Sequence, residues 1–458
     1  MNKLYSGYAK VNINPPLGHF ISGYFIERYA KGYLDDITAS AFALECNGER
    51  FLIVSVDACT LASPLVLRYR QAMAKASGVS VDNIFFTNTH THTGPEYSPL
   101  GYSDEAEGKV ERAGVVYVDF VEQRLADLAV LALQDMVPTK MAYGTGYAPE
   151  RVAHIRRYRM KDGSTMTCPP INDPDIVGPI GELDQRINVV RFDREGRNSF
   201  VLVNYGVHAD TVNGDMISAD FPYWMAKTLN LALEGVDSMF VCGAQGDVGS
   251  TNVHPDSADM NDTEISFDNE MKSPGMARFV GRAIAGTVLQ IYDKLYYTDV
   301  EDVKMITKNV PVKLNVPTPE ELPLAKKYKE LHEAGRDCDI PYTAMELTTV
   351  VAEALRMCAL ADGPEYKDMD MVGLKIGPVA LVGIPGEPFT EIGVKIKEAE
   401  GFELVMPCAL TNGYEGYFPV QSAYDEGGYE ARSSRYAAGV AETIVEAGKA
   451  IVAELVNI

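Results

Sequence analysis

The sequence predicts an α/β fold: one large domain with mixed β-sheet flanked by helices and an inserted helical hairpin. Three observations point there. Apolar runs of strand length alternate with helix-period stretches through most of the chain. No internal repeat or low-complexity linker divides the 458 residues, so 1–458 reads as a single domain. Apolar residues make up 46% and charged residues 23%, an ordinary globular balance with ample material for a core.

Phe51–Val56 reads as a strand, followed by a helix around Leu65–Ala76 and a strand at Ile84–Phe86. A long helix is expected from Tyr117 to near Asp135. Further strands are expected at Asn188–Phe192, Phe200–Tyr205 and Ser238–Cys242, with helices near Pro222–Leu233 and Met276–Lys294. After Val316 the texture changes. Thr318-Pro319-Glu320-Glu321 has a capping residue, Pro at the first helical position and Glu at the third, and Thr343-Ala344-Met345-Glu346 repeats the box before an apolar face. Residues 318–361 are therefore predicted as a helical hairpin inserted between strands. Val440, Ile444, Ile451 and Leu455 mark a packed C-terminal helix.

The net charge of −23 and pI near 4.7 argue against a nucleic-acid partner and against docking on anionic membrane. No run approaches the roughly 18 apolar residues of a spanning helix, and the N-terminus lacks an apolar core of signal-peptide length. Seven scattered cysteines form no Cys-x-x-Cys pair. The expectation is a cytoplasmic protein with no integral membrane segment, acting on a small molecule, with a homo-oligomer left open.

Five segments place polar residues where strand-like runs end. The sharpest is Asn88-Thr89-His90-Thr91-His92-Thr93-Gly94-Pro95, just past Ile84-Phe85-Phe86. In extended backbone, residues i and i+2 share a face, so His90 and His92 can address one small volume. That suits a metal or acid–base site, or a polar loop bonded to nearby carbonyls. His208 follows the strand ending at Tyr205, at the sheet rim where α/β proteins keep their sites. Cys242-Gly243-Ala244-Gln245-Gly246-Asp247-Val248-Gly249-Ser250 offers glycines and polar side chains but no phosphate-loop Gly-Lys-Ser/Thr. Ile384-Pro385-Gly386-Glu387 holds a carboxylate straight after a buried run. The last segment is dense in tyrosine, with Tyr414, Tyr417, Tyr424 and Tyr429.

In order, these segments resemble the catalytic domain of the neutral (non-lysosomal) ceramidase family. Its His-Thr-His-Ser-Gly-Pro is matched by His90–Pro95, its Leu-Ile-Ser-Gly-Asp by Met216–Asp220, and its Ile-Pro-Gly-Glu by Ile384–Glu387. Its two tyrosines twelve residues apart are matched by Tyr417 and Tyr429, the latter followed by Glu430-Ala431. The resemblance implies zinc held by His90, His208, Glu387 and Tyr417, with His92 and Tyr429 beside the reacting centre. The family's active-site arginine has its best counterpart at Arg156, with Arg157 and Arg159 as alternatives. Two departures stand out. The family's serine after Gly-Asp-Val is Gly249 here, with Ser250 displaced by one position. The chain also ends where ceramidases continue into a C-terminal β-sandwich domain, and it lacks their secretion signal.

The function implied is a zinc-dependent hydrolase of an N-acyl amide bond that uses metal-bound water as nucleophile. His92 would carry the proton, Tyr429 and Arg156 would steady the oxyanion, and Ser250 is a further catalytic candidate. Alternatives are a zinc-dependent deacylase or esterase on a polar, non-lipid substrate, or a non-catalytic ligand-binding relative. Metal-dependent amidohydrolases and metallo-β-lactamase-like hydrolases also use His-x-His, but they place it in other contexts than Thr93-Gly94.

Overall fold

A computed structural model describes residues 4–97 and 110–458. Its strands alternate faces, and most are apolar on both because both faces are covered. The main sheet uses β1 (Leu4–Asn12), β2 (Thr38–Cys46), β3 (Glu49–Val56), β4 (Ile84–Asn88), β5 (Val137–Tyr147), β6 (Arg186–Arg194), β7 (Phe200–Tyr205) and β8 (Asp237–Cys242). Their order is β8-β7-β6-β5-β1-β2-β3-β4, with the short strand Tyr296–Thr298 added beside β5. Pairings are antiparallel except at the two ends, where β7–β8 and β3–β4 run parallel. The ends approach each other, and Ser55 Oγ of β3 donates to the Phe240 carbonyl of β8 at 3.1 Å.

A second sheet, β9 (Val303–Lys313), β10 (Tyr366–Ile376), β11 (Val379–Gly383) and β12 (Leu404–Cys408), also ends in a parallel pair, β11–β12. Phe42, Phe192, Phe200 and Leu202 of the main sheet interdigitate with Val372, Leu374, Leu381 and Met406 of the second. The opposite face of the main sheet packs on α1 (Ser63–Ser77), α2 (Val110–Gln134), α3 (Phe221–Ala232) and α4 (Pro274–Ile291). The layers thus run helix, sheet, sheet, helix. The outer face of the second sheet meets the C-terminal helix Val440–Val456, through Val440, Ile444, Ile451 and Leu455 as their spacing predicts.

Between the paired strands β9 and β10 the chain makes α5 (Leu322–Glu333) and α6 (Ala344–Leu360), which pack on one another through Tyr328, Leu331, Val350 and Val351. The Thr318 box forms, with Thr318 N and Oγ1 both donating to Glu321 Oε2 at 2.7 and 2.9 Å. The turn does not propagate, and α5 begins only at Leu322, with Pro323 in its first turn. Thr343 makes no side-chain cap on α6. Among the described residues, no helix is long and apolar enough to cross a membrane.

Candidate metal centre

Ligands in open α/β sheets bind beyond the carboxyl ends of strands, and each parallel pair here delivers its loops to one place. His90 follows β4, His208 follows β7, and Glu387 follows β11. His90 Nε2 lies 3.1 Å and His208 Nε2 3.0 Å from Glu387 Oε2, all three side chains being buried. Loop packing requires the intervening glycines: a Cβ on Gly246 would fall 2.5 Å from the Glu387 carbonyl oxygen. The Met216–Asp220 segment ties the two histidine loops together. Thr91 Oγ1 donates to the Ser218 carbonyl at 2.7 Å, and the Asp220 carboxylate accepts from Thr211 N at 2.9 Å and Val212 N at 3.2 Å.

His90 and His92 do converge, with their Nε2 atoms 3.3 Å apart, but not on the pleat of a strand. β4 stops at Asn88, and His90 sits at φ 64°, in the left-handed region. That conformation is uncommon outside glycine and gathers at functional sites. The turn, with Asn88 Oδ1 accepting from His90 N at 3.2 Å, swings the two rings together.

Tautomers follow from the carbonyls. His90 Nδ1 lies 2.7 Å from the Cys59 carbonyl, and His208 Nδ1 lies 2.9 Å from both the Gln245 and Val248 carbonyls. A carbonyl only accepts, so each Nδ1 must donate, and in a neutral ring Nε2 is then a lone pair. Two lone pairs face Glu387 Oε2, an oxygen with no hydrogen-bond donor among the described residues. A cation belongs between them, or else a proton. Burial opposes a proton on His90, yet the facing Glu387 carboxylate raises its pKa well above the ordinary value. Burial and then Arg156 push His208 down to about 4. Burial also opposes charge on Glu387, but the two imidazoles outweigh it and hold the carboxyl well below its usual range.

Of the three candidate arginines, Arg156 is the one beside this centre. Its Nη1 is 3.5 Å from His208 Nε2, while Nη2 donates to Tyr417 OH and the Gly246 carbonyl, each at 3.0 Å, and Nε to Glu430 Oε1 at 2.8 Å. A two-residue antiparallel ladder, His154–Ile155 against Val248–Gly249, holds it there. Arg157 and Arg159 turn instead to Glu426, at 3.3 and 3.1 Å. Tyr417 pairs by backbone with Glu387, and its ring lies 5.6 Å from that of Tyr429, which opens a five-residue helix, Tyr429–Ser433. The phenol that donates to Glu387 is Tyr414, to Oε1 at 2.9 Å. It belongs to the tyrosine-dense loop, but nothing in its spacing distinguishes it from Tyr417.

Ser250 is not brought into this group. It lines a separate cavity with Arg151 and His154. Along an extended segment neighbours alternate sides, and a Cβ on Gly249 would lie 3.4 Å from Glu270 Oε1 and 3.9 Å from Arg156 Cβ. The position facing the centre therefore carries no side chain.

A second charged group, which the sequence reading missed, adjoins the first. Lys272 is fully buried, its Nζ donates to Asp210, Asp268 and Tyr24, each at 2.8 Å, and Glu270 Oε2 lies at the same distance as a further ion-pair partner. Asp210 Oδ2 also lies 3.4 Å from His92 Nδ1. Burial works against the ammonium, but Asp210 and Glu270 raise its pKa well above the usual value. The only signal was Asp210, two residues past His208; a lone loop lysine reads as surface.

A cavity of about 300 Å³ opens above both groups, with His92, Arg156, Asp210, Glu270, Tyr417 and Tyr429 among its lining. Arranged so, the residues can hold a divalent cation through two nitrogens and an oxygen and present donors to a ligand above it.

No family model and no curated protein matches this sequence. Solved structures do. A neutral ceramidase from Pseudomonas aeruginosa aligns with a TM-score of 0.69 at 18% identity, over 100% of this chain and 75% of that one. A ceramidase complexed with C2 aligns with a TM-score of 0.70 at 18% identity, over 99% of this chain and 76% of the other. Across its whole length, this chain shares the fold of those ceramidase structures.

Proposed function

We propose that the protein is a zinc-dependent hydrolase that cleaves an N-acyl amide bond. The observation carrying this reading is the convergence of two Nε2 lone pairs on a buried carboxylate oxygen that no donor satisfies. A nitrogen–oxygen donor set of this kind suits zinc. His90, His208 and Glu387 would hold the ion, with Tyr417 as a fourth donor, and Tyr414 fixes the far oxygen of Glu387. When bound there, zinc supplies Lewis acidity and lowers the pKa of water.

The remaining work falls to this chain's own groups. Arg156 keeps its charge, because Glu430 and the Tyr417 hydroxyl outweigh the cost of burying it, and it can steady negative charge developing on a carbonyl oxygen. Tyr429 presents a second donor to the same space. Burial, reinforced by the His90 and His208 rings and by the Lys272 ammonium, keeps His92 neutral, with a lone pair that can accept a proton and pass it to a departing amine. Ser250 takes no part. No two of the seven cysteines are joined in a disulfide, which fits a reducing cytoplasm.

The test is metal analysis together with hydrolysis of N-acyl amines. Purified protein is expected to hold close to one zinc per chain and to lose activity on chelation, with zinc restoring it. The His90→Ala/His208→Ala double variant should hold less than about a tenth of an equivalent, since binding requires the preformed ligands. Full zinc retention by that variant would exclude the assigned centre.

A further inference from the structure

We propose, resting on the reading above, that the substrate is a compact N-acyl amine whose short acyl group lies against α6 and whose amine half carries no carboxylate. The cavity has both apolar and acidic lining. Met345, Leu347 and Val351 form an apolar wall on α6, joined in the lining by Phe25 and Ile26, while Phe267 stands edge-on to Tyr24 beside the acids Asp210, Asp268 and Glu270, which lie among the polar lining with His92 and Arg156. The acyl group and the amine half therefore have different places to go.

Size follows from the same cavity. At about 300 Å³ the cavity stands at the lower end of small-molecule sites, which run from roughly 300 to 1,000 Å³. Such a volume suits an amide with a short chain on either side. The α6 side of the wall is fastened rather than free to swing. Glu353 pairs with Arg432, in the helix that begins at Tyr429, and Arg356 donates to the Arg432 carbonyl at 3.0 Å and to the Asn315 carbonyl at 2.6 Å. The residues that limit chain length are thus tied to the element presenting Tyr429. Charge follows from the acids. Three carboxylates share the single ammonium of Lys272, and a substrate carboxylate placed beside them would meet like charge.

The experiment measures kcat/KM of the zinc-loaded protein for hexanoyl and dodecanoyl ethanolamine and for N-hexanoylglycine, with calorimetric binding of hexanoate and dodecanoate alongside. Hexanoyl ethanolamine should exceed each of the others by at least about tenfold, given one to three kcal/mol for misfit of shape or charge. Met345→Ala and Val351→Ala should narrow the chain-length ratio several-fold by opening the wall. Equal or faster cleavage of the dodecanoyl amide overturns the size limit, and equal cleavage of N-hexanoylglycine overturns the charge limit; either leaves amide hydrolysis standing. If no amide is cleaved, the hydrolase reading falls and the acids decide: preference for hexanoate still supports the compact cavity, and equal or reversed binding overturns it.

Discussion

Around Lys272, three buried carboxylates meet one ammonium; around Glu387, one buried carboxylate meets two imidazoles already committed to backbone carbonyls. Both groups have a geometry that can hold a metal ion. They differ in where the counter-charge comes from. Lys272 supplies it from within the chain and occupies the space an ion would need. Tyr414 serves Glu387 Oε1, but Oε2 meets only rings whose Nδ1 donors are spent, so its counter-charge, a cation or a proton, must come from outside. Metal-ligand geometry alone does not separate the two; the satisfaction of the carboxylate oxygens does.

Removing the internal cation gives the largest expected effect on that contrast. Lys272→Met leaves three acids facing each other without compensation and should destabilise the fold by about 3–5 kcal/mol, read from urea unfolding. A loss below about 1 kcal/mol would mean that the acids take up protons readily and that the contrast is empty. Tyr429→Phe touches neither counter-charge. It should leave zinc content unchanged and lower kcat by about 10²–10³-fold, the usual cost of one missing donor to an oxyanion.

Asp35 offers a third way of answering a carboxylate, this one part-buried, with neutral donors only: Ala219 N at 2.6 Å and Ser218 Oγ at 2.7 Å. Those bonds do not offset burial, which raises its pKa to about 7. The folded state then binds the proton more tightly than the unfolded chain, so the stabilisation is full below about pH 4 and is lost as pH rises through 7. Asp35→Asn should flatten that slope by on the order of 1–2 kcal/mol, discounted because the group is only partly buried. Thermal melts of both proteins from pH 4 to 8 would reveal it. The smallest effect belongs to Ser250→Ala, expected to change kcat/KM by less than about twofold because Ser250 touches no proposed reacting group.

Much of the centre was legible for one reason. His90, His208 and Glu387 each follow an apolar run, and runs of that kind end where α/β sheets place their sites. Strands β1 and β2 were not read, the second being rich in alanine, because small residues give weak periodicity. The start of α5 was misplaced because a capping box can close a turn without propagating a helix. Arg156 could not be chosen over Arg157 and Arg159 by spacing; the ladder to Val248–Gly249 chose it.

The sequence by itself determined which strands would be buried and which histidines and glutamate would stand at their ends, because burial and strand period are local properties of residue order. Tertiary structure alone decided that three strand ends from two sheets meet at one oxygen, that Tyr414 rather than Tyr417 donates to Glu387, and that Lys272 fills the neighbouring acidic group. Those outcomes depend on distances between residues far apart in the chain, and they are fixed only once the two sheets pack face to face.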